Sequence, residues 1–208
     1  SQDCDVIIKH PNGSNNDQTH TISAESFLYT TITSSITGKA TVVLSDNPIV
    51  LSVGDAADDI MILPPNSYEF IGMTSTYLEL SYYGSGTLAV TEYNSDGGTA
   101  TKNVPAFPER YEQSGYPGLS TGPGHRYVAD ELFGAHTIAD NNGGSATPFL
   151  PVDLLSTKFI TTVSFDHLAF VSKEPGTITI GSNTYTLSGS DANEVYKYRY
   201  GSGDAGIL

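Results

Sequence analysis

The residues of this chain that could do chemistry sit in short glycine-rich or acidic stretches. Gly118-Leu119-Ser120-Thr121-Gly122 matches G-x-S-x-G, and His125 follows three residues later. A nucleophile elbow needs a strand-to-helix turn that forces its serine into exposure. The flanks here, Ser-Gly-Tyr-Pro before and Pro-Gly-His-Arg-Tyr after, propose neither strand nor helix. We read the match as chance in a Gly- and Ser-rich chain. Gly201-x-Gly203-x-x-Gly206 matches a dinucleotide fingerprint. That motif works by presenting a helix N-terminus to a pyrophosphate, and only two residues follow it in this sequence. It reads as tail.

Metal chemistry needs convergent ligands. The five histidines, His10, His20, His125, His136 and His167, show no close pair of the kind a zinc helix uses. His125, Asp130 and His136 bracket one segment and could converge. Acidic turns offer oxygens for calcium at residues 54–59, 94–98 and 139–144, none with EF-hand spacing. Asp55, Asp58 and Asp59 are the first candidates for a bound cation, calcium being the ion such oxygens suit. The plainer reading is that Asp, Asn and Gly are there to make turns. No catalytic residue and no obligate cofactor is expected, and the chain is not read as an enzyme.

Glycan recognition usually builds on aromatic platforms. There is no Trp, but there are 13 Tyr and 8 Phe. Tyr82-Tyr83 and the alternating Tyr196, Tyr198 and Tyr200 could stack on sugars or form protein contacts. Tyrosine also simply favours strands.

The elements that must carry these residues are strands. Apolar and polar residues alternate in short runs between turn residues. Such runs lie at 5–10, 26–33, 40–45, 48–53, 59–63, 67–73 and 77–93, and again at 158–165, 167–172, 176–187 and 194–200. In "YLELSYYGSGTLAVTEY", Leu78, Leu80 and Tyr82 share one face, and Leu88 and Val90 can supply another apolar face across Gly84-Ser85-Gly86. That spacing predicts a β-hairpin. A second hairpin is expected at Gly181-Ser182. Residues 105–125 hold four prolines and four glycines and read as a long loop. Residues 126–134 are the one helical stretch, with Val128, Leu132 and Phe133 on one side and Gly134 as its cap. No solenoid or propeller repeat stands out.

The expected fold is all-β: an antiparallel β-sandwich of jelly-roll type with long loops and one short helix. Residues 1–208 are taken as a single elaborated sandwich. The alternative is two packed β modules, 1–104 and 126–208, joined by loop 105–125.

Bulk composition excludes several partners. Nine Lys and Arg face 23 Asp and Glu, a formal charge of −14. Such a field repels nucleic acid and anionic lipid, and no cationic cluster exists to overcome it. It suits a saline medium, where screening weakens self-repulsion. No apolar run is long enough to span a bilayer, and residues 1–13 lack a signal-peptide layout. A soluble protein made in a cytoplasm is expected. One cysteine, Cys4, cannot form an internal disulfide.

The stretch "NPIVLSVGDAADDIMILPPNSYEFIGMTSTYLELSYYGSGTLAVTEY" (residues 47–93) resembles modules common in virion proteins of tailed and tailless DNA viruses. The shared features are a strand ending in Val-Gly, a Pro-containing turn at Leu63-Pro64-Pro65-Asn66-Ser67, the "TYLELSYYG" strand and a final "GTLAVTEY" strand. The resemblance covers under a quarter of the chain. It implies a structural role as a capsid shell or capsid-decoration subunit, found in the virion after synthesis in a host cytoplasm. Other capsid subunits, copies of itself among them, would be the partners. No catalytic residue is carried over from it. The competing expectation is a carbohydrate-binding or adhesive β-sandwich module of a fibre or cell surface.

Overall fold

A computed structural model describes residues 2–13, 16–31, 39–54, 60–74, 76–116, 122–138, 146–158 and 167–201 of the chain. The first strands are β1 (Cys4–Lys9), β2 (Gln18–Ile22), β3 (Val42–Ser45), β4 (Leu51–Gly54), β5 (Ile60–Leu63), β6 (Ser67–Met73), β7 (Tyr77–Tyr82), β8 (Thr87–Asn94) and β9 (Thr99–Pro105). They continue as β10 (Tyr111–Ser114), β11 (Gly124–Ile138), β12 (Ala146–Pro148), β13 (Leu150–Pro151), β14 (His167–Ser172), β15 (Thr177–Ile180), β16 (Asn183–Thr186), β17 (Ser188–Ser190) and β18 (Val195–Gly201). All the paired strands run antiparallel.

The organising element is β11, 15 residues long. Its first half pairs with β6 on one side and β8 on the other. Its second half pairs with β7 and β12. The register against β6 shifts between Val128 and Phe133, and there β11 exchanges one set of partners for the other. One layer is therefore β9-β8-β11-β6-β13, and the second is β10-β7-β11-β12. Their inward side chains form one cluster: Phe70, Leu78, Leu80, Tyr82, Leu88, Val90, Val104, Tyr127, Phe133, Ala135 and Phe149. Within it the Phe70 and Phe133 rings meet edge to face at 5.0 Å, as do Tyr127 and Phe149 at 5.2 Å. Such contacts add to the gain from burial alone. The core draws on strands from both sides of residues 105–125.

This layout corrects the helix expected at 126–134. Val128, Leu132 and Phe133 would share a helical side, but the segment also fits period two, with Tyr127, Phe133 and Ala135 buried. Partner strands on both sides decide between the two readings, because ladder bonds and packing outweigh a weak local propensity. Leu132, placed on the expected apolar side, is 47% exposed. The helical structure described is 3-10 only, at Asn16 and in the turn Val152–Leu154. No helix among the described residues is long and apolar enough to cross a membrane.

The connection at Gly84-Ser85-Gly86 is also corrected. Strands β7 and β8 face each other across the core and do not pair. The three residues form an arch from one layer to the next. Gly86 takes φ 75°, and a Cβ at Gly84 would strike the Tyr82 ring. The tight hairpin is instead β8–β9, closed by residues 94–98. There the Asn94 side-chain oxygen accepts from the amides of Asp96 (3.0 Å) and Gly98 (2.9 Å), and Gly97 sits at φ 90°. The Asn and Gly of that stretch thus serve the turn. The expected hairpin at Gly181-Ser182 is present as β15–β16. The long loop 105–125 is shorter than expected, since β10 and the start of β11 fall inside it.

Smaller sheets flank the sandwich. Strands β2-β1-β3 enclose a small core of Cys4, Val6 and Ile8. Strands β14-β18-β17 form a second sheet, and β4–β5 and β15–β16 are two-stranded. The β14-β18-β17 side docks through Asn193, whose side-chain amide donates to the carbonyls of Asn94 (3.0 Å) and Gly98 (2.9 Å). Arg126 ties the same region together by donating to the Asn193 carbonyl at 2.8 Å while pairing with Glu69 at 2.7 Å and Glu194 at 3.0 Å. The strand expected at 26–33 is not formed at residues 26–31, and its last two residues lie outside the described set. The strand expected at 158–165 lies outside it beyond Lys158. The chain is an all-β antiparallel sandwich.

Candidate functional site

The ionisable groups that converge are not those singled out in the sequence. Glu92 lies on β8 in phase with Leu88 and Val90, and Lys102 lies on β9 in phase with Val104, so both point between the layers. His125 and Tyr127 on β11 share that inward face, Tyr127 directly opposite Glu92. Tyr116 and Gln113 close the group from the other layer. One Glu92 oxygen accepts from the hydroxyls of Tyr116 (3.0 Å) and Tyr127 (2.9 Å), and His125 Nδ1 lies 2.9 Å away from it. That histidine contact is close but poorly aligned with the ring N–H, and His125 Nε2 has no partner among the described residues. The second Glu92 oxygen meets Lys102 Nζ at 2.9 Å, and Lys102 also donates to Gln113 at 2.6 Å. His125 stacks on Tyr127 at 6.0 Å and meets Tyr116 edge to face at 5.4 Å.

Burial fixes the chemistry of this cluster. Glu92 is 6% exposed, Lys102 7% and His125 2%. Burial pushes the Glu92 carboxyl up, but His125 and Lys102 beside it more than offset that and hold it at about 2. Burial pushes Lys102 down, and the Glu92 carboxylate overrides it, leaving the ammonium above its ordinary value. Burial and then the Glu92 charge drive the Tyr116 hydroxyl up to about 12, and the same two causes carry Tyr127 well above its usual range. A general acid or base works best when poised near the working pH. Glu92, Lys102, Tyr116 and Tyr127 are all driven away from neutrality and locked in their ordinary charge states. The arrangement is suited to holding two layers together.

A related set lies on the outer face of the second layer. Glu79 on β7 sits directly between Glu112 of β10 and His136 of β11. Its oxygens meet Arg110 at 2.8 Å and His136 Nε2 at 2.5 Å. Arg110 also pairs with Glu112 at 2.8 Å. Burial raises the Glu79 carboxyl, and His136 and then Arg110 outweigh it, so the group ends below its ordinary value. A shallow depression of about 380 Å³ lined by Ala89, Thr91, Val128, Ala129 and Asp130 lies on the outer side of the first layer. It touches neither set.

The sequence candidates fare differently. His125 and His136 are both on β11 but face opposite sides of the strand, and Asp130 between them is exposed, so the three do not converge. Among the described residues no group of three His, Cys, Asp or Glu could hold a metal. Asp55, Asp58 and Asp59 lie outside the described residues, as do residues 139–145, Gly118 to Thr121, Gly203 and Gly206. Cys4 is buried and free. The tyrosines are engaged within the chain. Tyr82 is in the core with its hydroxyl donating to Glu131 at 2.7 Å, and Tyr83, 44% exposed, packs on Phe107. Tyr196 is buried against Asp191, and Tyr198 and Tyr200 pack on Tyr185 at 4.6 and 5.9 Å.

The most exposed large apolar side chains among the described residues lie in the N-terminal third, while Tyr83, Leu132, Leu150, Leu154 and Leu155 are exposed to a lesser degree elsewhere. Phe27 is 88% exposed, Tyr29 87%, Val50 80% and Ile62 62%. Exposed apolar side chains scattered singly are ordinary, but grouped on uncharged stretches they mark contact surfaces. No family model, no characterised protein and no solved structure matches the chain significantly.

Proposed function

We propose that this chain is a structural subunit that assembles with copies of itself into an extended surface, as a virion shell or capsid-decoration protein does. The observation that carries the reading is the pairing of a closed interior with open apolar stretches. The converging ionisable groups are spent on one another inside the sandwich, while Phe27, Tyr29, Val50 and Ile62 are left to solvent. An assembly subunit needs that combination: a rigid body, and sticky surface where neighbours meet. The charge of −14 supports it too, by keeping free subunits apart until the uncharged stretches are brought together. The resemblance of residues 47–93 to virion modules points the same way and names the setting. The glycan-binding alternative has less support, because Tyr82, Tyr196, Tyr198 and Tyr200 are packed or bonded within the same chain and Tyr83 alone of its candidates is exposed.

Light scattering of the purified chain across a concentration series, followed by electron microscopy at the highest concentration, tests the reading. Masses above one subunit, with regular particles, sheets or filaments, are expected. A strict monomer at every concentration and salt level would end it.

A further inference from the structure

We propose that residues 26–31 are an exchanged strand: each copy of the chain lays this segment along the outer edge of β2 of another copy. The proposal rests on the assembly reading above and names the contact that makes it. After β2 the chain reverses through residues 23–25. There the Ser26 amide donates to the Ser23 carbonyl at 3.1 Å, the Ala24 amide donates to Asp3 at 3.0 Å, and Glu25 sits at φ 61°. The segment then runs back until the Thr30 hydroxyl reaches the Gln18 side chain at 3.2 Å. Thr30 opposite Gln18, and Ser26 opposite Ile22, is the register of a hairpin partner for β2. Yet no ladder is made at residues 26–31, and β2 pairs only with β1 among the described residues. The segment is set beside an edge of β2 that no other described strand occupies, in the register of a partner strand, with the Thr30–Gln18 bond between them.

Its side chains suit a strand in a larger assembly. Phe27 and Tyr29 are two apart, so in an extended chain they share a face, and both are almost fully exposed. Charge selects the occupant. Residues 26–31, Ser-Phe-Leu-Tyr-Thr-Thr, and β2, Gln-Thr-His-Thr-Ile, contain no Asp, Glu, Lys or Arg in a chain of charge −14. Two copies repel each other over most of their surface, and this neutral strip is where they can approach. A basic partner would gain nothing from it. Exchange reuses on the neighbour the register already indicated within one copy, the low-cost route by which identical chains swap an element.

The test uses the full chain with Gln18→Cys and Thr30→Cys, prepared as light and heavy-isotope stocks that are mixed, assembled and oxidised. Peptide mass spectrometry then reads which copies the 18–30 bridge joins; Cys4 is buried and stays out of the exchange. Bridges joining a light to a heavy peptide in about half of cases are expected, the share that random mixing between copies gives. Bridges only within one isotope, or none, in a sample shown by light scattering to be assembled overturn strand exchange and leave the assembly reading standing. A sample that is monomeric throughout overturns both. As a check free of new cysteines, Phe27→Asp with Tyr29→Asp is expected to raise the concentration needed for assembly by at least about 10-fold. An unchanged midpoint overturns the proposal.

Discussion

Glu92 and Glu79 each lie beside a histidine of β11 and one lysine or arginine, yet they lie on opposite faces of that strand. Glu92 faces Lys102 and His125 between two sheets, with both of those side chains under 10% exposed. Glu79 faces Arg110 and His136 on the outside of one sheet, where those side chains keep 23% and 27% of their exposure. The residue types match closely, and the difference in cost comes from water. A cation at the surface recovers hydration if its partner is lost, whereas one in the interior does not. The inner set therefore commits the two layers to each other, and the outer set trims one sheet.

The largest expected effect breaks the inner set alone. Lys102→Met should leave the Glu92 carboxylate buried with two tyrosine hydroxyls and a poorly aligned histidine but without its lysine, and cost about 3–5 kcal/mol in chemical denaturation. Adding Glu92→Leu to it should recover most of the loss, because the desolvation penalty of both charges disappears together. If the single variant is as stable as the parent, the interior placement of this cluster is wrong.

Acid sharpens the same contrast. The Glu92 carboxyl stands at about 2 in the fold against an ordinary 4.5, so the fold gains stability as that group ionises. The gain is complete above about 4.5 and drains away as pH falls toward 2, with a ceiling on the order of 3 kcal/mol. Glu79 is lowered as well and acts in the same direction. Denaturant midpoints measured from pH 6 to pH 2 should fall steeply for the parent. Glu92→Gln should give a weaker protein with a flatter curve, and Glu79→Gln should keep most of the parent's slope. Equal flattening by both would mean that the two carboxylates are equivalent.

What the sequence made legible, and what it hid, follows from the same strands. Period-two alternation of apolar and polar residues marks β6, β7, β8, β14 and β18 in the sequence, and β8 carries it into burial, its Leu88, Val90 and Glu92 inward and Thr87 and Ala89 exposed. It does not encode the partner: Leu78 to Tyr82 and Leu88 to Val90 would alternate identically in a hairpin or across an arch, and the pairing of β7 with β10 and β11 and of β8 with β9 and β11 separates the two. At β11 a helical and an extended reading fit the same letters, and long-range pairing with four strands made the choice. The inner cluster did leave a signal. Glu92 continues the phase of Leu88 and Val90, and Lys102 that of Val104, so a charge of each sign falls at a core position on neighbouring strands. The outer set left none, since Glu79 and His136 occupy positions where a polar residue is ordinary, and only their register across β7 and β11 brings them together.

The smallest expected effect tests whether that outer set is as expendable as its exposure implies. Arg110→Met removes the guanidinium from Glu79 and Glu112 at once. His136 remains at 2.5 Å from Glu79, so the carboxylate keeps a close partner. Glu112, largely at the surface, returns to water. The cost should be about 1 kcal/mol, below that of Lys102→Met, because His136 stays beside Glu79, and the share that comes from the exposed Arg110–Glu112 pair should shrink in high salt. A loss as large as that of the inner variant, and insensitive to salt, would mean that the outer face is covered in the protein as it exists in solution. Glu79, 3% exposed on that face, would then be part of a second buried layer.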